Sequence, residues 1–345
     1  MKHVSAVTAV SDPFKDHLRT MPKFELHVHI EGAADADTYY EIARKNNIDL
    51  PVESREEWQR FFEFRDFPHF IEVYTAAVNC LKTTDDYGLL IDNFFKHQSE
   101  QNIVYSEAYL SATFIIEQFE DEAVLDAIEA AVIAGQDKYG VVVNLIPDIA
   151  RMMPESQQQV LDFVLKGQQR GLFIGLGLGG LENGFPAGLF TETFAEARRA
   201  GLRTVAHAGE AAGPESIWAA IDGLQVERIG HGIRCIEDPA LVETLRLRQI
   251  PLEVCPVSNY CLGIVNQGEM HPIREMFDAG LYCSINSDDP AMFSTSLNNE
   301  YLTLASLGFD WPELQQLNRN ALEASFLDET EKQGYRDQLQ LWKTF

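Results

Sequence analysis

Short apolar runs recur along the chain, and a longer segment with helical periodicity separates each run from the next. The runs are continuous rather than alternating, which is typical of strands buried on both faces of a parallel sheet. There are eight of them: Glu25–Ile30, Val104–Leu110, Val141–Ile149, Ile174–Gly179, Thr204–His207, Arg228–Ile233, Pro251–Pro256 and Leu281–Ser287. Eight strand–helix units favour an α/β fold of the closed (β/α)8 TIM barrel type over an open doubly wound sheet.

Residues 32–103 depart from this alternation. We interpret this segment as an α-helical insertion between strands 1 and 2, because it carries several aromatic-rich helical patterns: Asp37–Asn46, Trp58–Phe62, Phe67–Leu81 and Tyr87–Gln101. Two roles stay open for it, namely a cover over the catalytic end of the barrel or closure of the barrel's edge. No linker rich in Ser, Gly or Pro divides the chain. We expect a single domain over residues 1–345 with a core at 19–330.

The composition is that of an ordinary globular protein with an acidic surface. Hydrophobic residues make up 46% of the 345 residues and charged residues 23%, which excludes disordered, collagen-like and coiled-coil chains. With 27 Lys and Arg against 53 Asp and Glu, the formal net charge is −26 at pH 7. Such a surface repels phosphate backbones and anionic lipid headgroups. We therefore expect neither a nucleic-acid partner nor a membrane partner.

The cysteines and the N-terminal residues indicate the cellular compartment of the protein. The 5 cysteines are an odd number, widely spaced and without a CxxC motif, so we expect no disulfide framework and a reducing compartment. The apolar stretch Val4–Val10 contains Ser and Thr and ends at Ser11-Asp12, unlike a signal peptide. No stretch approaches the ~18–20 apolar residues of a transmembrane helix. These features predict a cytoplasmic protein.

His27 and His29 lie two residues apart at the end of the first predicted strand. Side chains alternate along a strand with a period of two, so both imidazoles project on the same side, which in a barrel can be the interior. Two neutral imidazoles there make half of a zinc site. Packed core histidines would explain the same pair, and the pair alone does not decide between the two interpretations.

Three further predicted strands end in residues that can bind a metal or transfer a proton. His207 ends the fifth strand in a His-Ala-Gly-Glu segment, and His231 ends the sixth between two glycines. Asp288 and Asp289 follow the eighth strand. Active sites of (β/α)8 barrels lie at the C-terminal ends of several strands. Because four of the 9 histidines fall on such ends, we expect a metal site there.

Three imidazoles and one carboxylate suit a borderline divalent ion, Zn²⁺ above all and Fe²⁺, Co²⁺ or Mn²⁺ less so. The pKa of water on such an ion falls toward about 7, which makes hydroxide available at neutral pH. The remaining histidine and Glu210 can carry protons, so the pattern predicts metal-assisted hydrolysis. Spacing does not tell which of Asp288 and Asp289 contacts the metal. The alternatives are a satisfied core histidine at His231 and an exposed helix-start glutamate at Glu210.

Five motifs together carry a family resemblance. They are Met21–Gly32 with its His-Val-His-Ile-Glu-Gly ending, His207–Glu210, Gly230–Gly232, Cys255–Asn259 and Ser287–Pro290. In type and order they resemble the adenosine/adenine deaminase family of the metal-dependent amidohydrolase superfamily. The resemblance extends from about Met21 to Leu327, nearly the whole chain.

The resemblance implies a site, a cofactor and a reaction. It assigns the ligands of one Zn²⁺ per chain: His27, His29, His207 and Asp288. It further implies that Glu210 protonates purine N1, that His231 orients and helps deprotonate the attacking water, and that Asp289 hydrogen-bonds N7. The backbone of Gly180 would contact N3. Attack at C6 of a purine nucleoside or purine base then releases ammonia and leaves the 6-oxo product.

Three segments bear on which amine is the substrate. Glu31 stands where adenosine deaminases have an Asp that contacts the ribose 5′-hydroxyl, and this resembles adenine and aminodeoxyfutalosine deaminases. Residues 177–182 lack the Gly-Asp-Glu pattern typical of adenosine deaminases. Residues 105–111 lack the Phe-Phe-Asp-Pro-Gln run of adenine deaminases and resemble the nucleoside branch. We therefore expect adenosine first, aminodeoxyfutalosine second and adenine third, with Glu31 reaching into the substrate pocket.

Two other function classes make distinct predictions. A purine-binding protein without chemistry would show a broken ligand or acid–base position, and none of these positions is broken here. An amidohydrolase with two metals usually needs a bridging lysine, and no lysine lies on the predicted strands. Glu107, Ser258 and Asn259 either line the pocket or satisfy strand ends. We interpret the remaining candidates as surface or packing residues: His69, His97, His271 and Cys255. The oligomeric state stays open.

Overall fold

A computed structural model describes residues 11–342 and contains one sheet of eight parallel strands in the order β1 to β8. The strands are β1 Lys23–His29, β2 Ile103–Leu110, β3 Val142–Ala150, β4 Gly175–Gly179, β5 Arg203–Ala208, β6 Arg228–His231, β7 Leu252–Val254 and β8 Cys283–Ile285. Each overlaps one of the eight predicted runs. The predicted (β/α)8 barrel is confirmed.

The sheet closes into a barrel between β8 and β1. The N–H of His29 donates to the carbonyl of Asp288 at 2.8 Å, and the N–H of Asp288 donates to the carbonyl of His27 at 3.0 Å. Below this point the side-chain oxygen of Asn286 accepts from the N–H groups of Leu26 and His27 at 2.8 and 3.1 Å. The seam is therefore hydrogen-bonded at the C-terminal ends of the strands, where the predicted metal ligands lie.

Helices surround the sheet. Their bounds are α1 Asp12–Thr20, α2 Ala36–Asn46, α3 Arg55–Phe61, α4 Phe67–Val78, α5 Thr84–Glu100, α6 Ala112–Gln118, α7 Asp121–Tyr139, α8 Gln157–Gln169, α9 Thr191–Arg199, α10 Pro214–Trp218, α11 Pro239–Arg248, α12 Pro256–Cys261, α13 Ile273–Asp278, α14 Leu297–Ser306, α15 Trp311–Ala324 and α16 Glu329–Leu341. Local sequence sets several helix starts. Thr83 with Asp86, and Asp310 with Glu313, form reciprocal capping boxes that satisfy the first N–H groups of α5 and α15.

The segment between β1 and β2 contains α2, α3, α4 and α5. Helix α5 packs against β2 and α7, as a crossover helix of the barrel does. Helix α4 instead contributes Phe67, Phe70 and Tyr74 to the cavity above the strand ends. Helix α5 therefore fits the role of closing the barrel's edge, and helix α4 fits the role of covering the catalytic end.

Two expectations concern regions away from the strand ends. The apolar stretch Val4–Val10 lies outside the described residues. Within residues 11–342, no helix combines the length and the apolar character needed to cross a membrane. All five cysteines lie in this part of the chain, and none forms a disulfide.

Candidate active site

Four side chains converge at the C-terminal end of the barrel. One ligand atom each from His27, His29, His207 and Asp288 lies within 4.8 Å of the others, and all four residues are buried. The Nε2 atoms of His29 and His207 are 3.3 Å apart, and Asp288 Oδ1 lies 3.3 Å from His27 Nε2 and 3.4 Å from His29 Nε2. The period of two on β1 and the ends of β5 and β8 therefore bring together the four predicted metal ligands.

The cluster fits a divalent metal. The Nδ1 atoms of His27 and His207 face Glu253 Oε2 at 2.9 Å and the carbonyl of Leu178 at 3.0 Å, which leaves the Nε2 lone pairs toward the cluster. His27 Nε2 is buried without a hydrogen-bond partner. Burial lowers the pKa of His29 to about 3 and that of His207 well below its usual value, so both stay neutral ligands. Three imidazoles and a carboxylate match a borderline divalent ion.

Two site residues have a left-handed backbone that side chains rarely adopt. The φ angle is +62° at His231 and +64° at Asp288. These kinks end β6 and follow β8, and they turn both side chains into the barrel mouth. His231 Nε2 lies 3.7 Å from Glu210 Oε2 and 4.0 Å from Asp288 Oδ2. The geometry places the predicted acid–base residues directly beside the metal cluster.

The loop after β5 is held by a buried carboxylate that sequence reasoning did not single out. Glu182 accepts the N–H groups of Gly209, Glu210 and Ala211 at 2.9, 2.9 and 3.0 Å. The carboxyl group of Glu210 is thereby positioned through its backbone, and its Oε1 is buried without a partner. Burial, with the charges of Asp288 and Glu182, raises the pKa of Glu210 well above its usual value.

Asp289 is a second buried acid beside the cluster. Its Oδ1 has no hydrogen-bond partner, and burial and the charge of Asp288 raise its pKa well above the usual value. Gly32 makes room for this side chain, because a Cβ there would lie 1.8 Å from Asp289 Oδ1. The glycine of the first motif therefore allows β1 and β8 to present their ends to the same cavity.

A cavity opens above the cluster. His29, His207, His231, Glu210, Asp288 and Asp289 line it together with Gly180. The rest of its wall is largely apolar, and no Lys or Arg of the described chain contributes to it. The described residues that form the apolar wall are Phe67, Phe70, Ile71, Phe114, Ala150, Met152 and Leu262. Apolar walls with a few convergent polar groups are typical of sites for small molecules.

Glu31 lies behind the wall rather than in it. Its Oε1 accepts the N–H of Ser111 at 3.0 Å, and Tyr74 donates to its Oε2 at 3.5 Å. Tyr74 and Ser111 line the cavity, with their hydroxyl oxygens 2.8 Å apart, and Glu31 does not. Burial raises the pKa of Glu31 to about 7. The expectation that this carboxyl group reaches into the pocket therefore differs from the structure.

Comparison with known proteins decides the family. The model of the family described as adenosine deaminase matches residues 22–342. The chain belongs to the adenosine deaminase family. With the site described above, this makes it a hydrolase that acts on the C–N bond of an aminopurine at a metal centre.

Relatives within the family are named for two different substrates. The chain is 36% identical to an adenine deaminase of Acinetobacter baylyi, covering 93% of this chain and 97% of that one. It is 39% identical to an aminodeoxyfutalosine deaminase of Streptomyces coelicolor, over 92% and 84% of the two chains. Both relatives cover nearly the whole chain, so the similarity is not confined to one motif.

Solved structures share the fold. An adenine deaminase of Arthrobacter aurescens is 33% identical with a TM-score of 0.88, covering 93% of this chain and 99% of that one. An amidohydrolase of Burkholderia ambifaria with bound Zn is 25% identical with a TM-score of 0.89, covering 97% and 94%. The barrel and its insertion are therefore common features of these proteins.

The remaining candidate residues do not line the cavity of this deaminase. Ser258 and Asn259 are buried on α12 but do not line it, and Asn259 Oδ1 faces Nε2 of the buried His271 at 3.1 Å. His69 is buried and His97 is exposed. The Sγ of Cys255 lies within 4.8 Å of ligand atoms of His231 and Asp288. Burial raises the pKa of this thiol well above its usual value, whereas metals bind the thiolate.

A lysine does lie on a strand, contrary to the sequence-based count. Strand β1 starts two residues earlier than predicted, at Lys23, which is fully buried. Its Nζ donates to the carbonyls of Met21 and Gln101 at 2.8 and 2.7 Å. Because these partners lie at the N-terminal end of the barrel, Lys23 is remote from the cluster and cannot bridge two metals.

Glu107 belongs to a buried network beneath the metal cluster. Its Oε2 pairs with Arg228 Nη1 at 2.6 Å, and Arg228 Nε donates to Glu253 Oε1 at 2.5 Å. Glu253 in turn holds His27 Nδ1 and accepts from the hydroxyl of Tyr109 at 3.1 Å. Glu107 therefore neither lines the pocket nor ends a strand. Glu107 holds Arg228, and Arg228 balances the charge of Glu253 behind the predicted metal ligand His27.

Replacing Glu253 by Gln is expected to weaken metal binding about 10- to 100-fold. The neutral amide is a weaker acceptor for His27 Nδ1, and it leaves Arg228 paired with Glu107 alone. A chelator competition titration measures the affinity. Glu243→Gln, which changes an exposed ion pair with Arg246, is the matched control and keeps wild-type affinity. Unchanged affinity in Glu253→Gln would show that the network does not tune the cluster.

Proposed function

We propose that this protein hydrolyses adenine to hypoxanthine and ammonia with one Zn²⁺ per chain. The observation that carries the reaction is the buried cluster of three histidines and Asp288 beside two acids, Glu210 and Asp289, that have no protein partner for one oxygen each. The zinc bound in the Burkholderia ambifaria structure supports this ion as the metal.

His231, Glu210 and Asp289 each hold or transfer a different proton in the proposed reaction. When bound, the metal supplies the Lewis acidity that lowers the pKa of water toward neutrality. Burial lowers the pKa of His231 to about 4, so it is neutral at pH 7 and can orient the attacking water and accept its proton. Glu210, kept protonated by burial, donates to N1 and makes C6 electrophilic. Asp289 donates to N7, and the backbone of Gly180 contacts N3.

The atoms balance without a further reactant. The water oxygen forms a bond to C6 while N1 receives the proton of Glu210. The water protons pass through His231 and Glu210, and one of them reaches the exocyclic nitrogen. The C6–N6 bond then breaks and ammonia leaves. The products are the 6-oxopurine and the enzyme in its initial protonation state.

Two observations favour the free base over adenosine, which the sequence had placed first. Full-length relatives in Acinetobacter baylyi and Arthrobacter aurescens bear the name adenine deaminase. The carboxyl group of Glu31, at the position expected to contact a ribose, is instead held by Ser111 and Tyr74 behind the cavity wall. Without that contact a nucleoside gains little from its sugar.

Aminodeoxyfutalosine is the second candidate. The observation that favours it is the Streptomyces coelicolor relative, which shares 39% identity. This substrate carries a large substituent on N9, and the cavity would have to accommodate it beside α4.

A substrate panel tests the proposal. We expect kcat/KM for adenine to exceed that for adenosine and aminodeoxyfutalosine by about 100-fold, since a site built for the bare ring gains no binding energy from the sugar. AMP should not react, because no cation lines the described cavity. Ammonia release by the zinc-loaded protein is the measurement, with heat-denatured protein as the blank. A preference for either nucleoside would refute adenine as the substrate and leave the reaction type intact.

A further inference from the structure

Asp148 is a buried acid of the cavity that the proposed chemistry does not use. It lies near the end of β3, is 6% exposed and lines the cavity. Its carboxyl group accepts its own backbone N–H and makes no hydrogen bond or ion pair with another described residue. The structural acids around it differ, since Glu182 accepts three backbone N–H groups and Glu253 binds Arg228. Because the carboxyl group of Asp148 also lines the cavity, a substrate there can supply the partner that the other acids find in the protein.

Strand β4 is shaped to let this carboxyl group stand in the cavity. Asp148 pairs in register with Gly177, where a Cβ would lie 2.9 Å from Asp148 Cβ. A Cβ at Gly179 would lie 2.6 Å from Asp148 Oδ2 and 3.6 Å from His207 Cε1. Any side chain at these two positions would displace the carboxyl group. The Gly-rich strand that departs from the adenosine deaminase pattern therefore makes the space that Asp148 occupies.

The position of β3 indicates which substrate edge meets Asp148. In the closed order β1 to β8, β3 and β4 lie across the barrel from β8, and Asp289 follows β8 in the chain. An aminopurine with C6 at the metal cluster and N7 toward Asp289 turns its opposite edge, with N3 and N9, toward β3 and β4. In the free base N9 carries a hydrogen and is a donor. In a nucleoside N9 carries the sugar and has no hydrogen to donate.

We propose that the carboxyl group of Asp148 accepts the N9–H of a free 6-aminopurine and thereby selects bases over N9-substituted purines. This inference rests on the proposed adenine deamination, and it assigns the selection to β3 and β4 rather than to Glu31. A ribose hydroxyl could use the same acceptor. In that case Asp148 would favour nucleosides, and the two assignments predict opposite results below.

The test compares adenine with 9-methyladenine, which keeps the reacting amidine and lacks the N9 hydrogen. We expect the wild-type protein to prefer adenine by about 100-fold in kcat/KM. Asp148→Ala should lose about 10- to 100-fold on adenine, the worth of a hydrogen bond to an acidic group, and change little on 9-methyladenine. The ratio of the two kcat/KM values therefore falls toward one. Asp148→Asn keeps an acceptor oxygen and should retain part of the preference.

Controls separate recognition from folding and metal loss. Asp162→Ala removes an exposed aspartate of α8 and should keep both kcat/KM values. Zinc content is measured for each variant, and if Asp148→Ala does not fold, the ratio for Asp148→Asn decides. Equal losses on both substrates, or a larger loss on adenosine than on adenine, would overturn the role of Asp148. A wild-type protein that does not deaminate adenine would overturn the proposed function itself.

Discussion

Glu210→Gln is expected to lower kcat for adenine about 1000-fold, within the 10²- to 10⁴-fold range of a lost general acid. Glutamine has the same shape but cannot transfer a proton to N1. The loop should keep its conformation, because Glu182 holds the backbone N–H groups of residues 209 to 211 and not the side chain of Glu210. The loss should therefore appear in kcat with the metal content unchanged.

Steady-state kinetics and metal analysis check this result together. Glu192→Gln makes the same chemical change at an exposed position in the first turn of α9, and it should keep wild-type kcat. A Glu210→Gln protein that retains a tenth of the activity would show that another group supplies the proton. Buried Asp289 would then be the first alternative, since its pKa is raised as well.

Removal of the metal is expected to abolish activity and to lower the unfolding temperature. The cluster brings three buried imidazoles and a carboxylate within 4.8 Å of one another, and a bound cation would stabilise this arrangement in the folded state. Metal at 1000 times its dissociation constant stabilises the folded state by about 4 kcal/mol. Added Zn²⁺ should restore both the activity and the unfolding temperature of the chelated protein.

His207→Ala provides the corresponding variant. It removes one of the four predicted ligands, so we expect weak metal binding and no detectable deamination at wild-type enzyme concentrations. His97→Ala changes an exposed histidine of α5 and should behave as wild type in both respects. Calorimetry with and without chelator measures the stability effect. An unfolding temperature that chelation leaves unchanged would mean that the cluster does not bind metal in the folded protein.

Several features could be predicted from the sequence because they depend on local patterns. Continuous apolar runs of four to nine residues mark strands that are buried on both faces, and each run overlaps an observed strand. The spacing of His27 and His29 places both imidazoles on one side of β1. Polar residues at strand ends, such as His207 and Asp288, meet at one end of a barrel whatever the intervening helices do.

Which carboxyl groups face the substrate cavity could not be predicted from such local patterns. Glu31 has the residue type expected of a pocket residue, yet Ser111 and Tyr74 hold it behind the wall. Asp148 lies within an apolar run and carries no motif, and only its neighbours Gly177 and Gly179 reveal its place in the cavity. Both outcomes depend on contacts between residues that are 29 to 80 positions apart in the chain.

The sequence by itself determined the barrel and the type of reaction, since these follow from periodicity and from residue chemistry at strand ends. It also predicted a metal site at those ends, where the choice of Asp288 over Asp289 as a ligand came from the family resemblance. Tertiary structure decided how those groups are oriented and which neighbours they have. The left-handed backbone at His231 and Asp288, and the support of Glu210 by Glu182, exist only because the closed barrel forces these loops together. Orientation within a cavity depends on packing between distant segments, and periodicity along one segment does not contain that information.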